Sequence, residues 1–212
     1  MTLLLAIETA THVAGVALAD DDGVIASVDI ARGRRHVETL APSIEFLLAQ
    51  AQLKMSSIDA IAVDIGPGLF TGLRVGASTA VGLGLALDRP VIPVVSLDVL
   101  AHATKGRVAA VIDARRGEVY SALYEDGVRV EEPWVGSPGA VAKRIAGAGA
   151  GSVLGDGAQR YPAAFAAFDI VHVHPTPTGV ANTARRADAI AADLIHVLYL
   201  RAPDAQINWA TR

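Results

Sequence analysis

The 212-residue chain contains no cysteine. That excludes disulfides, thiolate chemistry, iron–sulfur clusters and cysteine-based zinc sites, and it fits a reducing compartment such as the cytoplasm. Aromatic residues are scarce at 5%, and charged residues reach only 19% against 52% hydrophobic. A chain this apolar does not stay disordered. Neither sign of charge dominates: 18 basic residues face 22 acidic ones, a net charge of −4. With a sequence pI near 5.8, the chain is not built for charge-driven binding of nucleic acid on its own. Long hydrophobic runs are also missing. A mean hydropathy of +0.40 raises the membrane question. The longest uncharged apolar run, between Arg74 and Asp88, is thirteen residues, short of the about 17 that a span needs. Met1-Thr2 leads straight into Leu3-Leu4-Leu5 with no basic segment and no small-residue cleavage site. Neither a signal peptide nor a membrane partner is expected.

What the chain does have is a repeat. Leu5-Ala6-Ile7-Glu8-Thr9 runs into Val16-Ala17-Leu18 and an acidic turn, Asp20-Asp21-Asp22-Gly23. Val111-Ile112-Asp113-Ala114 runs into Ser121-Ala122-Leu123 and Glu125-Asp126-Gly127, at an offset of 105 residues. Each copy reads as an apolar strand ending in an acid, then a second strand and a tight hairpin. The offset is about half the chain, which favours two related α/β lobes, 1–100 and 101–212.

Within the first lobe, strands at about 2–9, 13–20 and 23–31 precede a helix-period stretch with Leu40, Ile44, Leu47, Leu48 and Ala51 on one face. Pro42 lies early in it, where a kink or turn is expected. Ile58–Ile65 reads as a buried strand closed by Gly66-Pro67-Gly68, a helix follows from Thr71 to about Leu87, and Val91–Val95 is the next strand. The second lobe offers a helix at 139–148, strands at 152–154 and 170–173, and a periodic helix from about Gly179 to Leu198. That last helix is free to pack back on the first lobe. Alternating strands and helices imply sheets covered by helices.

The segment Gly66-Pro67-Gly68-Leu69-Phe70-Thr71-Gly72-Leu73-Arg74 lies between a strand and a helix, where backbone N–H groups can receive an anion. Gly66, Gly68, Thr71 and Gly72 are therefore weak anion-site candidates. The loop lacks the lysine of a phosphate-binding P-loop and has one residue too many for a dinucleotide fingerprint. The plainer reading is a strand-to-helix turn whose glycines permit positive φ, with Thr71 as N-cap. Beyond it, Gly72, Gly76, Ala80 and Gly84 recur every four residues. Mid-helix glycine costs about 1 kcal/mol relative to alanine, so the stripe implies close approach of another helix. Together with Leu40, Ile44 and Leu47 it is the expected partner interface. Glu8 and Asp113 could each hold a metal ion or a phosphate-bound magnesium, or simply cap a turn. His172 and His174 share one strand face but lack a third ligand, and His36 and His102 stand alone.

Leu4-Leu5-Ala6-Ile7-Glu8-Thr9-Ala10, the Gly66–Arg74 segment, Asp113-Ala114-Arg115-Arg116-Gly117-Glu118-Val119-Tyr120 and Tyr199-Leu200-Arg201 occur in this order and span almost the whole chain. Together they resemble the TsaB/YeaZ family of bacterial tRNA threonylcarbamoyladenosine biosynthesis proteins. The resemblance implies an α/β fold of two related actin-like, ribonuclease-H-like lobes, each a mixed sheet opening with a β-hairpin and covered by helices. It implies a cytoplasmic, non-catalytic subunit that pairs with a TsaD transferase as a heterodimer, with a TsaE ATPase in the larger complex. A homodimer is expected when the chain is alone, and tRNA contact only through the complex. No cofactor is expected in the chain itself, with ATP or ADP and a metal ion left to the partner subunits. Glu8 replaces the family's usual aspartate, and Leu69 stands where a serine or small residue is common. Both changes weaken a phosphate or metal role. The paired histidines of the catalytic sister are absent as well, since His36 is followed four residues later by Leu40. Two competing readings are an ATP-dependent small-molecule kinase of the same superfamily and a metallopeptidase-like protein.

Overall fold

The strand-end acids and the hairpins that follow them recur because the topology itself is duplicated. The structure, a computed structural model, describes residues 2–31 and 36–201, the side chain of His36 excepted. In the first sheet, β1 (Leu4–Glu8), β2 (Ala14–Ala19), β3 (Val24–Ile30), β4 (Ala60–Gly66) and β5 (Val91–Val95) lie in the order β3-β2-β1-β4-β5. In the second, β6 (Arg107–Arg115), β7 (Glu118–Glu125), β8 (Val128–Gly136), β9 (Ser152–Leu154) and β10 (Asp169–Val171) lie in the order β8-β7-β6-β9-β10. The opening strand of each pairs antiparallel with the second and parallel with the fourth. Order and pairing sense are the same. The turn at Asp126-Gly127 places both residues at positive φ, 50° and 77°, as a type I′ hairpin requires.

The helices are α1 (His36–Gln50), α2 (Phe70–Leu87), α3 (Ser96–Ala101), α4 (Pro138–Gly147), α5 (Asp156–Arg160) and α6 (Pro177–Ala184). Strand alternation decides which face each covers. Leu5 and Ile7, with Val16 and Leu18, meet Leu40, Ile44, Leu47 and Leu48 of α1 and Ala77 and Ala80 of α2. Leu4 and Ala6, with Ala17, Ala19, Ala60 and Ala62, face α6 instead. The small side chains on that face let α6 lie close: a Cβ on Gly15 would sit 2.8 Å from Pro177 Cγ. Between the sheets α3 is a wedge, with Val99 in the first lobe's core and Leu97 and Leu100 in the second's.

Helix α1 continues through Pro42 without a break. Two other stretches depart from what the pattern of the sequence predicts. Helix α2 starts at Phe70 with Leu69 as an N-cap that makes no side-chain bond, so Thr71 is not the cap. By starting ahead of Arg74, α2 reaches 18 residues and becomes long and apolar enough to cross a membrane by length and composition. It nevertheless lies along the first sheet with Gly72, Leu73, Gly76, Ala77, Ala80 and Gly84 buried. The periodic stretch from Gly179 to Leu198 is α-helical only to Ala184, with one further 3₁₀ turn at Ala192–Leu194. Beyond that, Ile190 exchanges two backbone bonds of 2.9 Å with Val91, and the Leu198 N–H donates to Ile65 O at 2.8 Å. The edge strand β5 offers unpaired peptide groups, and pairing them outweighs continuing a short helix. Ala192 and Ile195 thereby enter the core of α1 and α2.

Candidate functional site

Ile7 stands opposite Val63 in the parallel β1–β4 pair. The next residues, Glu8 at the end of β1 and Asp64 two residues before the end of β4, therefore stand side by side on one face. Both are fully buried. Glu8 Oε1 accepts from the Ala10 N–H at 2.7 Å. Asp64 Oδ1 accepts from the Gly66 N–H at 2.7 Å and from Ser96 Oγ, the first residue of α3, at 2.6 Å. Burial pushes both carboxyls upward, Glu8 well above its usual 4.5, and the charge of Asp64 adds to the rise. Glu8 is thus enclosed beside a second acid. Among the described residues no cluster of three or more His, Cys, Asp or Glu can hold a metal ion. Asp113 has different company. Its Oδ1 accepts from the Arg115 N–H at 2.9 Å, and its Oδ2 lies 3.1 Å from the Arg115 guanidinium and 3.9 Å from Arg160 Nε.

The glycine loop after β4 closes onto the β1–β2 turn. The Leu69 N–H donates to Ala10 O at 2.7 Å. A Cβ on Gly68 would clash with that same oxygen. Of the four anion-site candidates, Gly66 and Gly72 are buried, Gly68 is pressed against Ala10, and Thr71 is on the exposed first turn of α2. The Gly66 N–H is taken by Asp64. They do not converge on one opening.

The expected interface residues point the other way. Leu40, Ile44 and Leu47 are 2–3% exposed and lie in the first lobe's core. Gly72, Gly76, Ala80 and Gly84 are buried by the chain itself. A Cβ on Gly76 would meet Thr9 Oγ1, and one on Gly84 would sit 2.7 Å from Ala192 Cβ and 2.9 Å from Val91 Cγ2. The close neighbours are a strand end and the returning C-terminal segment, not a foreign helix. Outward, α1 and α2 expose Phe46 and Leu85, at 54% and 63%, on the sides turned away from the core, and Val37 and Phe70, at 72% and 47%, in their first turns. At the start of α2 the Arg74 guanidinium lies 4.0 Å over the Phe70 ring, and Arg74 Nε donates to Tyr199 Oη at 3.2 Å. Beside Phe46, a hollow of about 300 Å³ is bounded by Val28, Ile30 and Pro42.

Asp64 and Ser96 were not singled out by the sequence reading. The signal for Asp64 was present: one acid inside the otherwise apolar run Ala60–Ile65, two residues before a Gly-Pro-Gly turn. Ser96 carried none. His102 caps α3 with Nδ1 2.7 Å from Val99 O, while His172 and His174 are exposed beyond β10.

The model of the TsaD family, described as tRNA N6-adenosine threonylcarbamoyltransferase, matches residues 23–137. An uncharacterized protein of Mycobacterium leprae is 40% identical over 210 residues, covering 97% of this chain. The chain spans only 56% of that relative's length. The Escherichia coli tRNA threonylcarbamoyladenosine biosynthesis protein TsaB is 39% identical over 127 residues, 58% of this chain and 54% of that protein. YeaZ from Pseudomonas aeruginosa superposes with a TM-score of 0.81 at 30% identity, over 94% of this chain and all of that one. With a family match across more than half its length and a full-length structural relative, this chain belongs to the TsaB/YeaZ branch of the TsaD-type family.

Proposed function

We propose that the chain is a non-catalytic subunit of the machinery that forms threonylcarbamoyladenosine in tRNA, and that it acts by docking on a transferase of the TsaD type. The observation that carries this reading is the outer face of α1 and α2. Exposed aromatic and aliphatic side chains on a helix surface are where a partner buries apolar area, and Phe46 of α1 and Leu85 of α2 lie on the sides turned away from the core while Val37 and Phe70 are exposed in the first turns. The partner covers this face as a heterodimer, and a second copy of the chain covers it when the partner is absent. A TsaE-type ATPase joins the larger complex, in the cytoplasm. Nucleotide and metal belong to those partners, and tRNA meets the chain only through the composite surface. An enclosed Glu8 turned toward Asp64, and a glycine loop pressed on Ala10, favour this role over a kinase or a metallopeptidase.

The test is gel filtration of the purified chain with a TsaD homologue. Co-elution of the wild type, lost in Phe46→Glu and Leu85→Glu while both variants keep their melting temperature, is the expected result. No complex, or a complex indifferent to both substitutions, rejects the docking face. The isolated chain should neither hydrolyse ATP nor bind tRNA tightly. Contaminant-free turnover would reject the non-catalytic assignment.

A further inference from the structure

We infer that Glu8 and Asp64 hold one proton between them, and that this bound proton pins β1, β4 and α3 together at the joint of the two lobes. The pair stands just past the last paired residues of the parallel β1–β4 register, Ile7 and Val63, and is fully buried. Each carboxyl has one oxygen engaged, Glu8 Oε1 by the Ala10 N–H and Asp64 Oδ1 by the Gly66 N–H and Ser96 Oγ, and the Thr11 backbone N–H also favours the charged form of Glu8 without offsetting its burial. The remaining two oxygens, Glu8 Oε2 and Asp64 Oδ2, are buried without a partner. Two ionised carboxylates in this position would both be acceptors and would repel each other. A single carboxylic O–H donating to the neighbouring carboxylate satisfies both orphan atoms at once.

No positive charge takes the proton's place. Among the described residues neither acid makes an ion pair, and the causes acting on them include no cation. The other charge that bears on Asp64 is Asp98 on α3, of the same sign. Asp98 is itself engaged by Tyr124 Oη at 2.7 Å and by the Arg129 guanidinium at 3.2 Å. From α2 the neighbours are neutral: Gly76 packs on Thr9, the residue after Glu8. Buried acids without a counter-charge neutralise rather than ionise. The proton belongs to the pair, not to either residue alone. Because Ser96 opens the connector α3 between β5 and β6, the pair ties the core of the first lobe to the start of the second.

The linkage has a definite sign. The folded pair keeps a proton that an unfolded glutamate, with its usual value of 4.5, has released. This contribution to stability is complete below that pH and is lost as pH rises from it through the folded-state value, by about tenfold in the folding equilibrium per pH unit. Urea unfolding of the full chain at several pH values, compared with Glu8→Gln and Asp64→Asn, reads it directly. An amide in either position supplies a permanent donor, so both variants should lack the tenfold-per-unit fall that the wild type shows. Infrared spectra of the native wild-type chain at pH 7 should also contain the carbonyl stretch of one protonated carboxylic acid, a measurement that needs no variant to fold. Parallel pH profiles, or a spectrum without that band, overturn the inference. So does magnesium or manganese alone raising the melting temperature of the wild type but not of Glu8→Gln, because a cation would then occupy the proton's place.

Discussion

The two lobes make the same turn after the same strand and then surround it with opposite charge. Glu8 accepts from the backbone N–H two residues on, at Ala10, and Asp113 does the same from Arg115. There the likeness stops. The strand beside Glu8 brings Asp64, and α3 closes over both. Beyond β9, next to Asp113, comes Asp156, which accepts the Asp113 N–H at 3.0 Å, while Arg115 and Arg160 supply positive charge. An acid at the end of an opening strand is therefore a feature of the turn, kept by local hydrogen bonding. What chemistry it can do is set by the layer placed over it. In the first lobe that layer excludes water and leaves a proton as the only counter-charge; in the second, arginines at the surface do the same work.

The covering helices differ as the acids do, and this difference should give the largest effect on stability. In α2, Gly76 sits over Thr9, and even a Cβ has no room there. In α4, nothing lies within 4 Å of where a Cβ on Gly139 would be. Gly76→Leu should cost several kcal/mol, at or beyond the roughly 1–3 kcal/mol typical of overpacking. Gly139→Ala should be neutral or stabilise by up to about 1 kcal/mol, because alanine is the better helix former. Chemical denaturation of both variants tests the contrast. A folded, fully stable Gly76→Leu chain that no longer associates would return the stripe to an intermolecular role.

Much of this arrangement is legible in the residues. The 105-residue offset marks the duplication, and Val91–Val95 and Ser152–Leu154 form strands at their expected bounds. The stripe at Gly72, Gly76, Ala80 and Gly84 does mean close approach. Periodicity, however, reports that a face is tightly packed and not what packs on it. The approaching groups, Thr9, Val91 and Ala192, come from distant parts of the chain. The same limit hid the last segment: residues 185–198 carry a helical period, yet pairing with the β5 edge decides their conformation. Asp64 gained its importance only when parallel pairing set it beside Glu8.

A second contrast lies at equivalent positions of the two hairpins. Ala19 of β2 and Tyr124 of β7 are 105 residues apart, and both are 1% exposed. The alanine leaves room for α6. The tyrosine reaches across to α3, donating to Asp98 Oδ1 at 2.7 Å, and Arg129 holds the same carboxylate. Burial raises Asp98 despite both donors, and it also raises the Tyr124 hydroxyl. Tyr124→Phe keeps the ring and removes one hydrogen bond to a charged group, so it should cost about 1.5–3 kcal/mol. The loss should largely persist in 0.5 M salt, because the tyrosine is buried and its hydroxyl is a neutral donor. A change below about 0.5 kcal/mol would mean that Arg129 alone holds the joint.

The smallest effect belongs to the other tie between the lobes, where Arg115 at the end of β6 reaches His12 in the β1–β2 turn at 2.8 Å and pairs with Asp113 at 3.1 Å. Its side chain is 49% exposed, against 4% for Asp113. Exposed pairs of this kind contribute about 0–1 kcal/mol and are screened by salt. Arg115 is also held at φ +63°, a left-handed conformation that glycine adopts more readily. Two opposed terms therefore meet at one residue. Arg115→Ala removes the ion pair and keeps the backbone strain, so it should lose up to about 1 kcal/mol at low salt and almost nothing at 0.5 M. Arg115→Gly removes both and should be more stable than Arg115→Ala by about 1 kcal/mol at either salt concentration. Thermal melts of the two variants at both ionic strengths separate the terms. If alanine and glycine prove equal, the left-handed turn stores no strain, and if salt leaves Arg115→Ala as destabilised as before, the pair is more enclosed than its exposure indicates.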